Sequence, residues 1–204
     1  MTGEFPVVEP PFEPVRTVDV TGVVLAAGTS SRFGRENKLL ATIDGEPLVR
    51  RAVDSVLSAD LTAVVVVGYE AAAVRTALSD LPVRVVENER YEAGQATSVR
   101  EGVDAVGDGA DAALFALGDM PDVRPETVET LLAAFAADAG DPLVAACDGV
   151  RGNPVLFGRQ FFDRLAAVEG DIGGRTVLRD AEGTTLVETG DPGVRRDVDR
   201  PEDL

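Results

Sequence analysis

A few polar residues in this chain sit where they can bind and activate phosphate esters. Lys38 closes the stretch "VVLAAGTSSRFGRENKLL", and it is the only lysine among 19 cationic residues. Arginine offers a broad planar fork, whereas the lysine ammonium is a compact charge that can meet a single phosphoryl oxygen. Ahead of it, Leu25, Ala26, Ala27 and Gly28 end an apolar run in small residues. A loop of that kind lets backbone N–H groups surround phosphate oxygens, and Arg32 adds a guanidinium fork for the same anion. The loop has neither the G-x-x-x-x-G-K-[ST] of a P-loop nor G-x-G-x-x-G. A turn from strand to helix calls for small residues whatever it binds, so the loop alone decides little.

Two acidic stretches complete the set. "LGDMP" places Asp119 after a buried apolar run. A carboxylate at such a strand end suits Mg²⁺, which takes one or two carboxylates together with substrate phosphates and water. Aspartate also caps ordinary turns. In "DVDRPEDL", Asp197 and Asp199 are expected to turn to opposite sides of an extended segment, so that only one of them enters a shared site. A solvated acidic tail has the same composition.

The elements that must position these residues read as alternating strands and helices, which predicts an α/β fold with a mostly parallel sheet and crossover helices. Strands are predicted at 22–28, 62–68, 83–88, 111–121, 141–147, 153–158 and 184–189. Helices are predicted at 47–57, 70–80, 94–106, 124–138, 161–168 and 176–181. The strands at 141–147 and 153–158 are joined through "DGVRG". The whole reads as one Rossmann-like, doubly wound domain over 18–204, preceded by an extended, flexible, proline-rich arm at 1–17. Ligands of such sheets bind beyond the carboxyl ends of the strands, where Lys38, Gly68, Asn88, Asp119 and the 148–154 turn are expected.

Charge narrows the partners. The net charge is −17, with no histidine, which opposes binding to nucleic acid or to an anionic membrane. Abundant Asp and Glu with almost no lysine fit a halophilic protein, since in molar salt the Debye length falls to about 3 Å and self-repulsion is screened. No apolar run approaches the roughly 18–20 residues of a membrane span, and the N-terminus lacks the pattern of a signal peptide. A single cysteine, Cys147, excludes a disulfide within the chain and fits a reducing cytoplasm. Without histidine beside it, it reads as a core residue.

At these residues the chain resembles the MobA-like nucleotidyltransferases, and within them the molybdenum cofactor cytidylyltransferases. "LAAGTSSRFGRENKLL" matches the family pattern L-A-A-G-x-S-x-R-[MF]-G-x-x-N-K-L-L, and "VVVVGYE", "NERYEAGQATSVREGV", "ALGDMP", "GVRGNPVLFGR", "GDIGGR" and "DVDRPEDL" follow in order. The resemblance implies a nucleotidyltransferase fold. It implies transfer of CMP from CTP to the phosphate of molybdopterin or its molybdenum-loaded form, with release of pyrophosphate. Arg32 and Lys38 would bind the triphosphate along with Leu25, Ala26, Ala27 and Gly28. Gly68, Asn88, Gly94, Gln95 and Ser98 would line the base and ribose pocket. Asp119, with Asp199 as second carboxylate, would hold Mg²⁺. Arg151, Asn153 and Arg175 would face the pterin substrate, and a molybdenum hydroxylase would be the recipient of the product.

Three other readings remain at this point. A guanylyltransferase using GTP shares most motifs, although "LAAG" rather than "LAGG" resembles the CTP branch. Sugar-phosphate-type nucleotidyltransferases share the loop but lack "RGNPVLF" and "GDIGGR". A non-catalytic accessory factor of a molybdenum hydroxylase would have no need to keep Arg32, Lys38 and Asp119 together.

Overall fold

The computed structural model describes residues 5–30, 33–34, 36–170 and 173–204. Arg32 of the glycine loop and Asp171 of "GDIGGR" lie outside the described residues. In chain order the strands are β1 (Val7–Val8), β2 (Val20–Ala26), β3 (Thr42–Ile43), β4 (Glu46–Pro47), β5 (Thr62–Val67), β6 (Val83–Glu87), β7 (Ala112–Leu117), β8 (Leu143–Cys147), β9 (Val150–Gly158) and β10 (Thr185–Glu188). The α-helices are α1 (Leu48–Leu57), α2 (Ala71–Ala77), α3 (Gln95–Ala105), α4 (Pro125–Ala136), α5 (Phe162–Ala166) and α6 (Arg175–Arg179).

Eight strands form one sheet in the order β1-β10-β8-β9-β7-β2-β5-β6. All neighbours are parallel except β9, which runs antiparallel between β7 and β8. Both faces of the sheet are covered, which is why its strands read as continuous apolar runs rather than alternating ones. Successive side chains point to opposite faces, and adjacent residues of one strand therefore enter different cores. Val24 packs with Val49 and Val53 of α1 and Leu131 of α4. Val23, its neighbour, packs with Val99 and Val103 of α3 and Leu165 of α5.

From β2 the chain steps outward to β5 and β6, then returns to lay β7 along the other side of β2. That reversal opens a crevice beyond the carboxyl ends of β2 and β7, the expected ligand position in a doubly wound sheet. Residues 26–28 and 118–119 emerge there.

The sequence expectation for the N-terminus needs correction. Residues 5–16 are extended, as expected, yet they are tied to the sheet rather than free. Val7 and Val8 pair with Leu186 and Val187, and the Leu186 N–H donates to the Pro6 carbonyl at 2.8 Å. Phe12 packs against the core. The Arg16 guanidinium lies 4.5 Å from the centre of the Phe135 ring and donates to Asp138 at 3.1 Å. The edge of β10 offers unpaired backbone groups, and this segment satisfies them.

Two tight hairpins were also not legible as such. β3 and β4 are joined at Asp44 and Gly45, and β8 and β9 at Asp148 and Gly149, all four with positive φ. Asp-Gly with two left-handed residues is the favoured two-residue hairpin turn. The link between β8 and β9 is therefore this dipeptide, and the "VRG" of "DGVRG" already belongs to β9.

Candidate active site

Lys38 is fixed at its backbone and extended at its tip. The Lys38 N–H donates to Ser30 Oγ at 3.1 Å, and Ser30 Oγ donates to Asn37 Oδ1 at 3.3 Å. Asn37 Oδ1 also accepts from the Leu39 N–H at 3.1 Å, capping the 3₁₀ turn of Lys38–Leu40. Its Nδ2 donates to the Tyr69 carbonyl at 3.2 Å, anchoring the loop to the segment just past the carboxyl end of β5. Ser30 and Asn37 are buried. Asn37 was read from the sequence only as part of the family pattern and Ser30 not at all, although a side-chain amide directly before a short polar-to-apolar turn is a capping signal.

The Lys38 ammonium lies between two carboxylates, 2.6 Å from Asp119 Oδ2 and 3.0 Å from Asp199 Oδ1. Burial on its own lowers the lysine pKa, but Asp119 first and Asp199 next outweigh it, and the net shift is upward. Lys38 is therefore a firm cation at neutral pH. Asp119 stands just past the end of β7, where the Met120 N–H donates back to the Leu117 carbonyl. The Asp119 carbonyl in turn accepts from the Val198 N–H at 2.9 Å, drawing in the C-terminal segment.

Asp197 is exposed, Val198 is buried and Asp199 reaches Lys38. Residues two apart in an extended segment share a side, so the expectation that alternation sends the two aspartates to opposite sides needs correction. What distinguishes Asp199 is its contact with Lys38. Asp203 holds this arrangement by accepting from the N–H groups of Asp199 at 3.0 Å and Arg200 at 2.8 Å. The sequence signal for Asp203 is the capping pattern in "DRPED".

Among the described residues no group of three or more metal-ligating side chains is found. Asp119 and Asp199 nevertheless converge on one cationic point. A pair of carboxylates is what Mg²⁺ takes from protein when phosphates and water supply the remaining oxygens, so the donor set fits.

A cavity of about 340 Å³ opens beside this triad. Of the residues expected to bind nucleotide, Leu25, Ala26, Ala27, Gly28, Lys38, Gly94, Gln95 and Ser98 line it, together with Asp119. Tyr91 and Glu92 line it too and were not foreseen. Gly68 and Asn88 are not brought to its wall. A Cβ on Gly68 would lie 2.6 Å from Tyr91 Cβ and 2.9 Å from Ala27 Cβ, so this glycine lets two lining segments close together. Asn88 is buried and donates to Thr97 and Ser98 Oγ at 2.8 and 2.9 Å. It braces the wall from behind.

A second cavity of about 190 Å³ adjoins the first, and Leu25, Gln95 and Leu117 line both. Arg151, Asn153 and Arg175, expected on the acceptor side, all line this second cavity. Its remaining walls are largely apolar, with Val99, Phe115, Phe157 and Leu165 among them.

Fold and site together define an α/β domain built for nucleotide chemistry at the switch point of its sheet. A MobA-like NTP transferase domain model matches residues 22–186, and the chain belongs to that family of nucleotidyltransferases. It is 32% identical over 193 residues to nicotine blue oxidoreductase of Paenarthrobacter nicotinovorans, covering 91% of this chain and 94% of that one. The crystal structure of Rv0371c from Mycobacterium tuberculosis superposes with a TM-score of 0.80 at 29% identity, covering 91% of this chain and 95% of that one. The same mycobacterial protein in complex with manganese gives a TM-score of 0.77 at 28% identity. A nucleotidyl transferase from Methanothermobacter gives 0.74 at 28% identity, over 91% of this chain and 94% of that one. No helix among the described residues is long and apolar enough to cross a membrane.

Proposed function

We propose that the protein transfers CMP from CTP to the phosphate of molybdopterin, or of its molybdenum-loaded form, with Mg²⁺ and with release of pyrophosphate. The observation that carries this reading is the pair of adjoining cavities, one beside Lys38, Asp119 and Asp199 and the other lined by Arg151, Asn153 and Arg175. A triphosphate in the first and a phosphate ester in the second would meet across Leu25, Gln95 and Leu117. The apolar walls of the second cavity suit a fused heteroaromatic ring, with Asn153 and the two arginines available to its polar edge and its phosphate.

In the reaction, an oxygen of the acceptor phosphate attacks the α-phosphorus of the nucleotide. The bond from that phosphorus to the oxygen bridging to the β-phosphate breaks, and pyrophosphate leaves with the electron pair. A phosphate monoester has its second pKa near 6, so the nucleophile is already ionised at neutral pH. No general base is needed, in keeping with a chain that has no histidine. The difficulty is to bring anions together and to stabilise charge on the leaving group, which positioning and fixed cations accomplish. Lys38 supplies its ammonium at the α-phosphate, and the backbone of residues 26–28 supplies N–H groups. Asp119 and Asp199 would hold Mg²⁺, which when bound supplies further positive charge to the phosphates.

"LAAG" supports CTP over GTP through the family resemblance. The acidic surface supports function in concentrated salt, the single reduced cysteine supports a cytoplasmic setting, and a molybdenum hydroxylase is the proposed recipient of the product. Pyrophosphate release tests the reading, measured in concentrated KCl with Mg²⁺ and molybdopterin, with CTP and GTP in parallel. Release with CTP is expected, and Lys38→Ala should lower it by about 10²–10³-fold. Release with GTP alone would overturn the base assignment.

A second reading is favoured by the similarity to nicotine blue oxidoreductase over 91% of the chain, in which electrons rather than a nucleotidyl group would be transferred. It predicts no pyrophosphate with either nucleotide and a redox change of nicotine blue instead.

A further inference from the structure

We propose that Gln95 is a positioning residue shared by the two substrates. Its side-chain amide donates one N–H to the phosphate of the acceptor and the other to the α-phosphate of the nucleotide, and so sets the line of attack. The inference deepens the nucleotidyl-transfer reading and rests on it. Among the described residues, Leu25, Gln95 and Leu117 are the three that line both cavities. Leu25 and Leu117 are register partners on β2 and β7. The partition is therefore two neighbouring leucines and one glutamine, and Gln95 is its one polar side chain. Charged groups flank it without belonging to it. Lys38 and Asp119 line only the nucleotide side, and Arg151 and Arg175 only the acceptor side.

Two phosphoryl groups that react across this partition meet at Gln95. A neutral amide suits that point, because its nitrogen carries two N–H donors, enough for one oxygen of each phosphate. A carboxylate there would repel both anions. The fold also holds the amide in place. Gln95 is the first residue of α3, and residues three and four further along share its side of the helix. Of these, Ser98 lines the nucleotide cavity and Val99 the acceptor cavity, so Gln95 heads a ridge that divides the two. On the acceptor side, Gly173 has a φ of +54°, and a Cβ there would lie 2.9 Å from Gln95 Oε1. The bare glycine lets the loop backbone close on the oxygen end of the amide. Among the described residues, Gln95 Nε2 makes no hydrogen bond within the protein, which leaves its two donors to ligands.

The test follows pyrophosphate release by the full-length protein with Mg²⁺, varying CTP and molybdopterin in turn, for the parent, Gln95→Met and Gln95→Glu. Methionine keeps the length of the side chain and a high helix propensity but has no donor. Gln95 is exposed, so neither variant should disturb the fold. Gln95→Met should lower kcat by about 10²-fold, the scale of a misaligned attack. The KM values for CTP and molybdopterin should each stay within about threefold of the parent. Gln95→Glu, which keeps the shape but exchanges the donors for a charge, should lose at least as much. Calorimetric titration with CTP and Mg²⁺ alone should give parent and Gln95→Met the same Kd within about threefold, and so show that the variant is folded. A kcat for Gln95→Met within about threefold of the parent would overturn the proposal, as would a loss carried by the KM for CTP with kcat intact. The first outcome would leave Gln95 a packing residue, and the second a part of the nucleotide wall alone. A parent that releases no pyrophosphate overturns the nucleotidyl-transfer reading itself, and the proposal falls with it.

Discussion

Two sets of carboxylates lie at the same end of the sheet and are held by opposite means. Asp191 is buried and fully engaged by donors of the fold. It accepts from the N–H groups of Gly193 and Arg124, both at 2.9 Å, and from Thr127 Oγ at 2.7 Å. Glu188 beside it takes the N–H groups of Gly149 at 2.8 Å and Gly190 at 3.0 Å. Asp119 and Asp199 instead share the tip of one long, rotatable side chain. Partners built into the backbone cannot leave, so the first set is architecture. A partner on a flexible stem can be exchanged for a ligand, and this separates the second set.

The contrast is sharpest in Asp119→Asn. Pyrophosphate release should fall by about 10²–10³-fold, with the melting temperature nearly unchanged, as thermal denaturation would check. A large loss of stability with activity retained would erase the distinction. Asp191→Ala should do the reverse. Orphaned buried donors cost about 1–3 kcal/mol, which for a chain of this size lowers the melting temperature by roughly 2–4 °C per kcal/mol. Turnover per folded molecule should be preserved.

Arg151→Ala probes the second cavity. The Michaelis constant for the phosphate acceptor should rise about tenfold, equivalent to about 1.4 kcal/mol, and that for the nucleotide should stay unchanged. A matching rise for the nucleotide would merge the two cavities into one functional pocket.

The smallest effect belongs to Glu188. Burial pushes its pKa up, but the amides of Gly149, Gly190 and Asp148 more than reverse this and hold it below the ordinary value. A carboxylate depressed in the folded state contributes stability above its unfolded pKa and loses it as pH falls through the folded one. Glu188→Gln should therefore cost about 0.5–1 kcal/mol near neutrality, and the gap from the parent should close in acid below about pH 4. Urea denaturation across pH would show a constant gap if the amides were not the cause.

Much of this was legible in the sequence because burial leaves a strong imprint. β2, β5 and β7 are covered on both faces and read as unbroken apolar runs. Lys38 and Asp119 were legible as candidates from their types and places, Asp199 only through the family resemblance, and the structure joins the three. β1, β3 and β4 have two residues each, too few for any periodicity to declare itself. Asn88 illustrates another limit. A polar residue after a strand reads alike whether it faces a ligand or braces the wall behind one, and only the positions of Thr97 and Ser98 decide between them. The roles of Ser30 and Asn37 were missed for the same reason, since their work is to fix a backbone rather than to meet a ligand.

The short first strand has a consequence for how the molecule behaves in a crowd. An exposed sheet edge is a template on which another chain can add a strand. Here the edge of the four-residue β10 is covered by a strand of two residues, with Pro6 before it and Pro10 and Pro11 soon after. Proline has no N–H to offer a newcomer, so the sheet ends on a segment ill-suited to recruiting a ninth strand. Repulsion from a net charge of −17 keeps copies apart only where salt does not screen it, and a blunted edge resists aggregation at any ionic strength.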